Sequence, residues 1–268
     1  VASCFTPVHW PETTPADWLK STLGTGVVGI DPWLHTIGEI ETLKKALASS
    51  GITLKFCDNL VDRIWLDQPA PPMGKIAAYP LEFAGVSYHE KCEKVAAELR
   101  QNNQEAAIIT LPDSLCWLLN VRGGDVAHNP VAHGFVVIDK NAHVKLFAHA
   151  EKLDQLGDHF ANDVAFFDPE ELEPELIKIS GMISVDGDSL PVAIEQMLTK
   201  AGKDNNSHNS RASIHNHSRG AKRRARLDSE ITGRYITLGS RVMIGEGYVS
   251  GLTVLLLATP PLLIPPAK

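Results

Sequence analysis

The chain has 268 residues, a formal net charge of −7, 44% hydrophobic residues and 21% charged residues. That length suits one large domain or two smaller ones, and the ordinary composition excludes wholesale disorder and collagen-like repeats. All five Trp, eight Phe and four Cys lie at or before Phe167, and residues 204–268 carry a net charge of +5 against −12 for the rest, so two physically different segments are joined.

Residues 26–31 (Gly-Val-Val-Gly-Ile-Asp) read as a short buried strand. Thr36 and Glu39 then have capping-box spacing, in which the threonine caps the first turn and the glutamate reaches back. Ile40, Leu43 and Leu47 repeat along one helical face, and Gly51 is read as the helix stop. Residues 52–56 look like the next strand, which completes a β-α-β pattern. The stretch Gln68-Pro-Ala-Pro-Pro-Met-Gly74 is stiff and polyproline-like and reads as a domain boundary.

A second unit opens with another capping box, Ser87 with Glu90. Cys92, Val95, Ala96 and Leu99 form the apolar stripe of an amphipathic helix. Residues 106–111 read as a strand and 113–119 as a short helix leading into Asn120-Val-Arg-Gly-Gly124. Residues 134–139 and 143–148 are two strands around a hairpin turn at Lys140-Asn141. Residues 164–167 make a further strand. Asp168-Pro-Glu-Glu171 starts a helix with a cap, a proline at its first position and a glutamate at its third. Residues 182–186 are strand-like, and 189–201 are helical with Ile194, Met197 and Leu198 inward. The order argues for an α/β fold, a mixed sheet with helices packed on it. After Asp204 the periodic signals fade.

Cys4, Cys57, Cys92 and Cys116 are widely spaced, without a CxxC or a Cys/His ligand pair, and read as reduced thiols of a cytoplasmic protein. The N-terminus lacks the basic and apolar regions of a signal peptide and has no initiator Met. The longest apolar run, residues 252–258, is far too short to span a bilayer.

Two stretches are specific enough to name a family. Asn59-Leu-Val-Asp-Arg-Ile-Trp65, continued by Leu-Asp-Gln-Pro69, resembles the Asn-Leu-Val-Asp-x-Ile-Trp-x-x-Arg-Pro signature of three-domain aminopeptidase P, the Xaa-Pro aminopeptidases; Gln68 stands where Arg is usual. Trp117-Leu-Leu-Asn-Val-Arg-Gly-Gly-Asp-Val126, followed by His-Asn-Pro-Val131, resembles that family's Trp-Leu-x-Asn-x-Arg-Gly-x-Asp-Val-x-x-x-Pro-Val segment. Val28-Gly-Ile-Asp-Pro32 and Ala84-Gly-Val-Ser87 fall at matching places. The resemblance spans roughly residues 5 to 203. It implies a creatinase-like, ribonuclease H-like α/β fold: the last part of a first such domain (1–84), a second one (85–203) and a tail (204–268) of undetermined fold.

The resemblance also implies an activity, removal of an N-terminal residue that precedes proline. In the family, a catalytic domain performs it with two divalent metal ions, Mn or Zn, held by two Asp, one His and two Glu. The blocks that carry these ligands, Asp-x-Gly-x-x-Tyr, Thr-x-Asp-x-Thr-Arg and His-Gly-x-Gly-His-Gly, are not in this sequence. No cofactor and no catalytic residue is therefore expected in the chain. The expectation is of an inactive fragment, its reading frame broken at both ends, with residues 204–268 translated out of frame. The alternative is a stand-alone module that dimerises or binds peptide.

The loop 120–130 is the functional candidate. Its residues Asn120, Arg122, Gly123, Asp125, Asn129 and Pro130 combine a close-approach glycine pair, an arginine able to bind a carboxylate in bidentate fashion, and an acid that pairs with that arginine or caps a turn. The resemblance implies that the segment lies at the entrance to the active site; the competing reading is that these residues only hold a tight loop together. His128 and His133 lack the third ligand that an open metal site needs. His208, His215 and His217 read as capable only of adventitious metal capture, and Lys222-Arg-Arg-Ala-Arg226 as a solvated charge run rather than a nucleic-acid site. Gly245-Glu-Gly247 is too short for a dinucleotide fingerprint. Trp65 and Trp117 are read as core packing, and Ser114 and Cys116 as non-catalytic. The partners expected are a second copy of the chain and, with a catalytic domain, a peptide with proline at its second position; neither nucleic acid nor membrane is expected.

Overall fold

The computed structural model describes residues 7–161 and 163–202, together with the backbone of three short strands at 205–206, 242–244 and 247–249. The readings made of His208, His215, His217, the basic cluster 222–226 and Gly245-Glu246, like that of Cys4, lie outside the described residues. The chain divides into two compact units at Gln68/Pro69.

The first unit begins with α1 (Pro15–Leu23), capped by Thr14, whose hydroxyl accepts from the Asp17 N–H. Strand β1 (Thr25–Ile30), helix α2 (Ile37–Leu47) and strand β2 (Gly51–Phe56) follow, with the strands parallel and in register from Thr25↔Gly51 to Ile30↔Phe56. The expected capping box is formed in both directions: Glu39 N–H donates to Thr36 Oγ1 at 3.2 Å, and Thr36 N–H donates to Glu39 Oε2 at 3.0 Å. The helix stops before Gly51. The Ser50 N–H and hydroxyl both donate to the Leu47 carbonyl and turn the chain there. Gly51 instead opens β2 at a point where a Cβ would come within 2.5 Å of Thr25 Cγ2. Leu19, Val28, Ile30, Ile37, Ile40, Leu47 and Ile52 are buried in this unit.

Helix α3 (Leu60–Ile64) closes the unit and corrects one expectation. It buries none of its residues, and Trp65 at its end is 46% exposed rather than packed in a core, with Ile64 at 77% and Leu66 at 93%. The cause is local: Asn59 caps a single turn through Val61 N–H, and the chain leaves at Trp65 before any apolar side of the turn meets a partner.

The second unit contains β3 (Ile76–Ala78), α4 (Leu81–Ala84), α5 (Tyr88–Gln101), β4 (Ala106–Ile109), α6 (Pro112–Leu119) and β5 (Val121–Gly123). Then come β6 (Phe135–Asp139), β7 (Val144–Phe147), β8 (Val164–Phe167), α7 (Leu172–Ile177), β9 (Ile183–Ser184), α8 (Val192–Lys200) and β10 (Asn205–Asn206). The main sheet runs β10-β9-β4-β6-β7-β8. Its β9/β4 and β7/β8 pairs are parallel, and β4/β6 and β6/β7 are antiparallel. It is the mixed sheet that the alternation predicts, and β6 and β7 form the expected hairpin. All four residues of β4 are buried, as expected of a central strand covered on both faces. Helix α5 keeps its capping box and buries the predicted stripe Cys92, Val95, Ala96 and Leu99. The helix expected from Pro169 starts as a tighter 3-10 turn, Pro169–Glu171, before α7; the Asp168–Glu171 capping box is formed there. Met197 on α8 is half-buried, whereas Ile194 and Leu198 are fully inward. Among the described residues no helix is long and apolar enough to cross a membrane.

Candidate functional site

The site is built on a small antiparallel pair, β3 with β5, beside the main sheet. The register Ile76↔Gly123, Ala77↔Arg122, Ala78↔Val121 ties the end of the proline-rich stretch to the loop 120–130. Proline and alanine alternate with little to pack in residues 69–72, so ordered pairing starts only where Gly74 lets two backbones approach. A Cβ on Gly74 would lie 2.2 Å from the Gly124 carbonyl carbon. Gly123 is similarly constrained: a Cβ there would lie 2.6 Å from Ala132 Cα. Gly124 itself has room.

Asn120 ends α6 in the left-handed region, at φ 52° and ψ 52°, which asparagine tolerates better than most residues. It is buried, and every side of it is used. Its Nδ2 donates to the Val86 carbonyl at 2.9 Å, and its own carbonyl accepts from Tyr79 N–H at 2.8 Å. Its Oδ1 accepts from Lys91 Nζ at 2.5 Å. Lys91, on α5, is buried too; it also donates to the Trp117 carbonyl at 2.7 Å and lies over the Trp117 ring, 4.7 Å from its centre. Burial, with the Arg122 charge adding to it, brings the Lys91 ammonium down to about 8.

Arg122 and Asp125 do not pair with each other. The Arg122 guanidinium stacks on Tyr79 with its carbon 3.8 Å from the ring centre, and Nη1 donates to the Val121 carbonyl at 2.8 Å. Asp125 pairs instead with Lys152, from the 3-10 turn Ala150–Lys152, at 2.5 Å. Asp125 Oδ2 also accepts from His133 N–H at 2.6 Å, and Oδ1 from Gly74 N–H at 2.9 Å. Lys152 donates a second bond to the His133 carbonyl at 2.9 Å. Burial pulls the Asp125 carboxyl upward, but Lys152 and the two amide donors outweigh it and hold it below the usual carboxylate range. Lys75 adds an outer tie to the same turn, donating to Asp154 Oδ2 at 2.6 Å.

Asn129 and Pro130 close the loop through their backbones. Asn129 N–H donates to the Val126 carbonyl at 3.2 Å, and the Pro130 carbonyl accepts from Gly123 N–H at 3.3 Å. His128 turns the tip at φ 61°. His128 and His133 are both exposed, and among the described residues no three His, Cys, Asp or Glu side chains gather to hold a metal. Cys116 is buried, accepts from the Ala132 N–H, and has its thiol pushed up to about 11 by burial. Trp117 packs half-buried against the core. The arrangement is a loop, tied to its scaffold by two buried lysines, that presents one stacked arginine. Lys91, Lys152, Tyr79 and Gly74 carry much of it, and none is distinguished by local sequence.

Comparison with known proteins identifies the family. The Creatinase/Prolidase N-terminal domain family matches residues 67–224. A probable Xaa-Pro aminopeptidase P of Coccidioides posadasii (strain C735) is 34% identical over 182 residues, which is 67% of this chain and 27% of that protein. The corresponding protein of Aspergillus oryzae is 36% identical over 158 residues, 58% of this chain and 23% of that one. The chain thus spans about a quarter of the length of the curated relatives it matches. Among solved structures, an X-prolyl aminopeptidase from Caenorhabditis elegans, a cytosolic enzyme with a di-nuclear active site, superposes with a TM-score of 0.64 at 26% identity, covering 76% of this chain and 35% of that one. The chain belongs to the Creatinase/Prolidase N-terminal domain family and is homologous to the corresponding part of Xaa-Pro aminopeptidase P.

Proposed function

We propose that this chain is a non-catalytic, creatinase-like part of a Xaa-Pro aminopeptidase, and that its 120–130 loop shapes the approach of a peptide whose second residue is proline. The observation that supports the reading is the loop itself. It resembles the family segment at Asn120, Arg122, Gly123, Asp125, Val126, Pro130 and Val131, and its geometry is held by buried ion-pair and amide contacts. In this reading the hydrolysis, with two divalent metal ions, Mn or Zn, belongs to the part of the relatives that the chain does not span. The described residues do not fit a dimetal site, so no step of the reaction is routed through them. The cytosolic C. elegans relative supports placing this protein in the cytoplasm. The test is an assay of the pure chain on Arg-Pro-Pro. No release of arginine is expected, and release that a chelator abolishes would overturn the reading.

A second reading, self-association of the chain, is favoured by the exposed Ile64, Trp65 and Leu66. Sedimentation at micromolar concentration decides it: a strictly monomeric chain sets it aside.

A further inference from the structure

Arg122 is the one residue of the loop whose charge is left over. Among the described residues no carboxylate forms an ion pair with it, and its side chain is held by a neutral carbonyl and an aromatic face. Its neighbour Lys91 is in the same position, bonded only to the Trp117 carbonyl and the Asn120 amide oxygen. Two cations close enough to repel therefore share a locus with no anion bonded to either. A guanidinium stacked on an aromatic ring keeps its planar fork oriented, and the edge it retains matches a carboxylate in bidentate geometry.

The surroundings supply a second kind of contact. The Tyr79 ring lies 6.0 Å from the Phe83 ring, inclined at 42°. Phe83 and Leu81, both on α4, are exposed. The β3–β5 pairing and the N–H of Tyr79, bonded to the Asn120 carbonyl, fix this aromatic step beside the arginine. Aromatic steps of this kind accept proline rings well, because an extended proline-bearing segment is pre-ordered and loses little entropy on docking.

We propose that Tyr79, Phe83 and Arg122 form a docking site for the carboxyl end of a short proline-bearing peptide, with the two rings packing against proline and the guanidinium taking the terminal carboxylate. This rests on the reading above that the chain serves Xaa-Pro peptides, and adds to it a recognition of the far end of the peptide. The occupant follows from charge and shape together: a negative group for the unpaired guanidinium and rigid rings for the aromatic step.

The test titrates the whole 268-residue chain with Ala-Pro-Pro as the free acid and as the C-terminal amide, read by ligand-observed NMR. The acid is expected to saturate, with the amide at least about tenfold weaker, and Arg122→Gln is expected to bring the acid down to the level of the amide. Tyr79→Ala is expected to weaken both. Equal binding of acid and amide by the unaltered chain overturns the proposal without any variant having to fold, as does failure of the acid to saturate. Neither result touches the aminopeptidase reading, which stands or falls on the Arg-Pro-Pro hydrolysis.

Discussion

Lys152 Nζ lies 2.5 Å from Asp125 Oδ2, with the two side chains only 3% and 0% exposed. A buried ion pair adds little net stability over an apolar pair of the same shape, but removing one member leaves an uncompensated charge in a low-dielectric site. Asp125→Asn and Lys152→Met are each expected to cost about 3–5 kcal/mol, and the double variant is expected to cost less than the sum of the two. Urea unfolding of the four proteins measures this. Strict additivity would mean that the two residues act independently.

The same pair sets an acid sensitivity. Asp125 has its folded-state carboxyl below the unfolded value, so the folded chain binds fewer protons there. Its contribution is therefore present at neutral pH and is lost as pH falls through the acid range toward that lowered value. The unaltered chain should lose urea resistance between about pH 5 and about pH 2 by more than the Asp125→Asn variant does. Parallel losses in the two proteins would contradict the assignment.

Elements whose determinants are local could be read from the chain, and those that need distant partners could not. The Thr36–Glu39 and Ser87–Glu90 capping boxes each span four residues and form as read. The stripe on α5 and the β6–β7 hairpin are likewise local patterns. Asp125 and Lys152 are 27 residues apart, and nothing beside Lys152 marks it out from other lysines. The Tyr79–Arg122 stack depends on a pairing of two three-residue strands, too short for any periodic signal. Trp65 failed for a different reason. Its type favours burial, but the one-turn helix before it offers no surface to pack on.

Glycine substitutions separate the steric from the conformational role of the loop. Gly74→Ala and Gly123→Ala each place a Cβ against backbone, at 2.2 Å from the Gly124 carbonyl carbon and 2.6 Å from Ala132 Cα. Backbone cannot swing aside as a side chain does, so each is expected to cost about 1–3 kcal/mol or more. Gly124→Ala meets nothing nearer than 3.7 Å and serves as the control, with little change. Thermal melts of the three proteins rank them, and a Gly124→Ala variant as unstable as the other two would contradict this geometry.

Lys91 predicts a pH trend of the same sign in the alkaline range. Its ammonium titrates at about 8 in the folded chain because burial, and then Arg122, disfavour the charged form. Between that value and the ordinary lysine range the unfolded chain holds a proton that the folded chain lacks, so stability rises with pH across the window. The gain is on the order of 1–3 kcal/mol. Lys91→Met removes the titrating group and should flatten the rise. Urea midpoints at pH 7.5 and 9.5 for both proteins decide the matter, with the difference between them as the signal. An identical rise in the variant would place the titration elsewhere.

Thiol reactivity follows from burial in the same way. Burial pushes Cys92 up to about 12 and Cys116 up to about 11, so neither supplies thiolate near neutral pH, and neither is open to a reagent. Cys57, half-buried at the end of β2, is the accessible one of the three. In the folded chain an aromatic disulfide reagent at pH 8 is expected to label Cys57 at least about tenfold faster than Cys92 or Cys116, and all three at similar rates once the chain is unfolded in urea. Mass spectrometry of the labelled peptides reads the order directly. Fast labelling of Cys116 in the folded chain would mean that the Ala132 contact opens, and with it the return of the loop to the sheet.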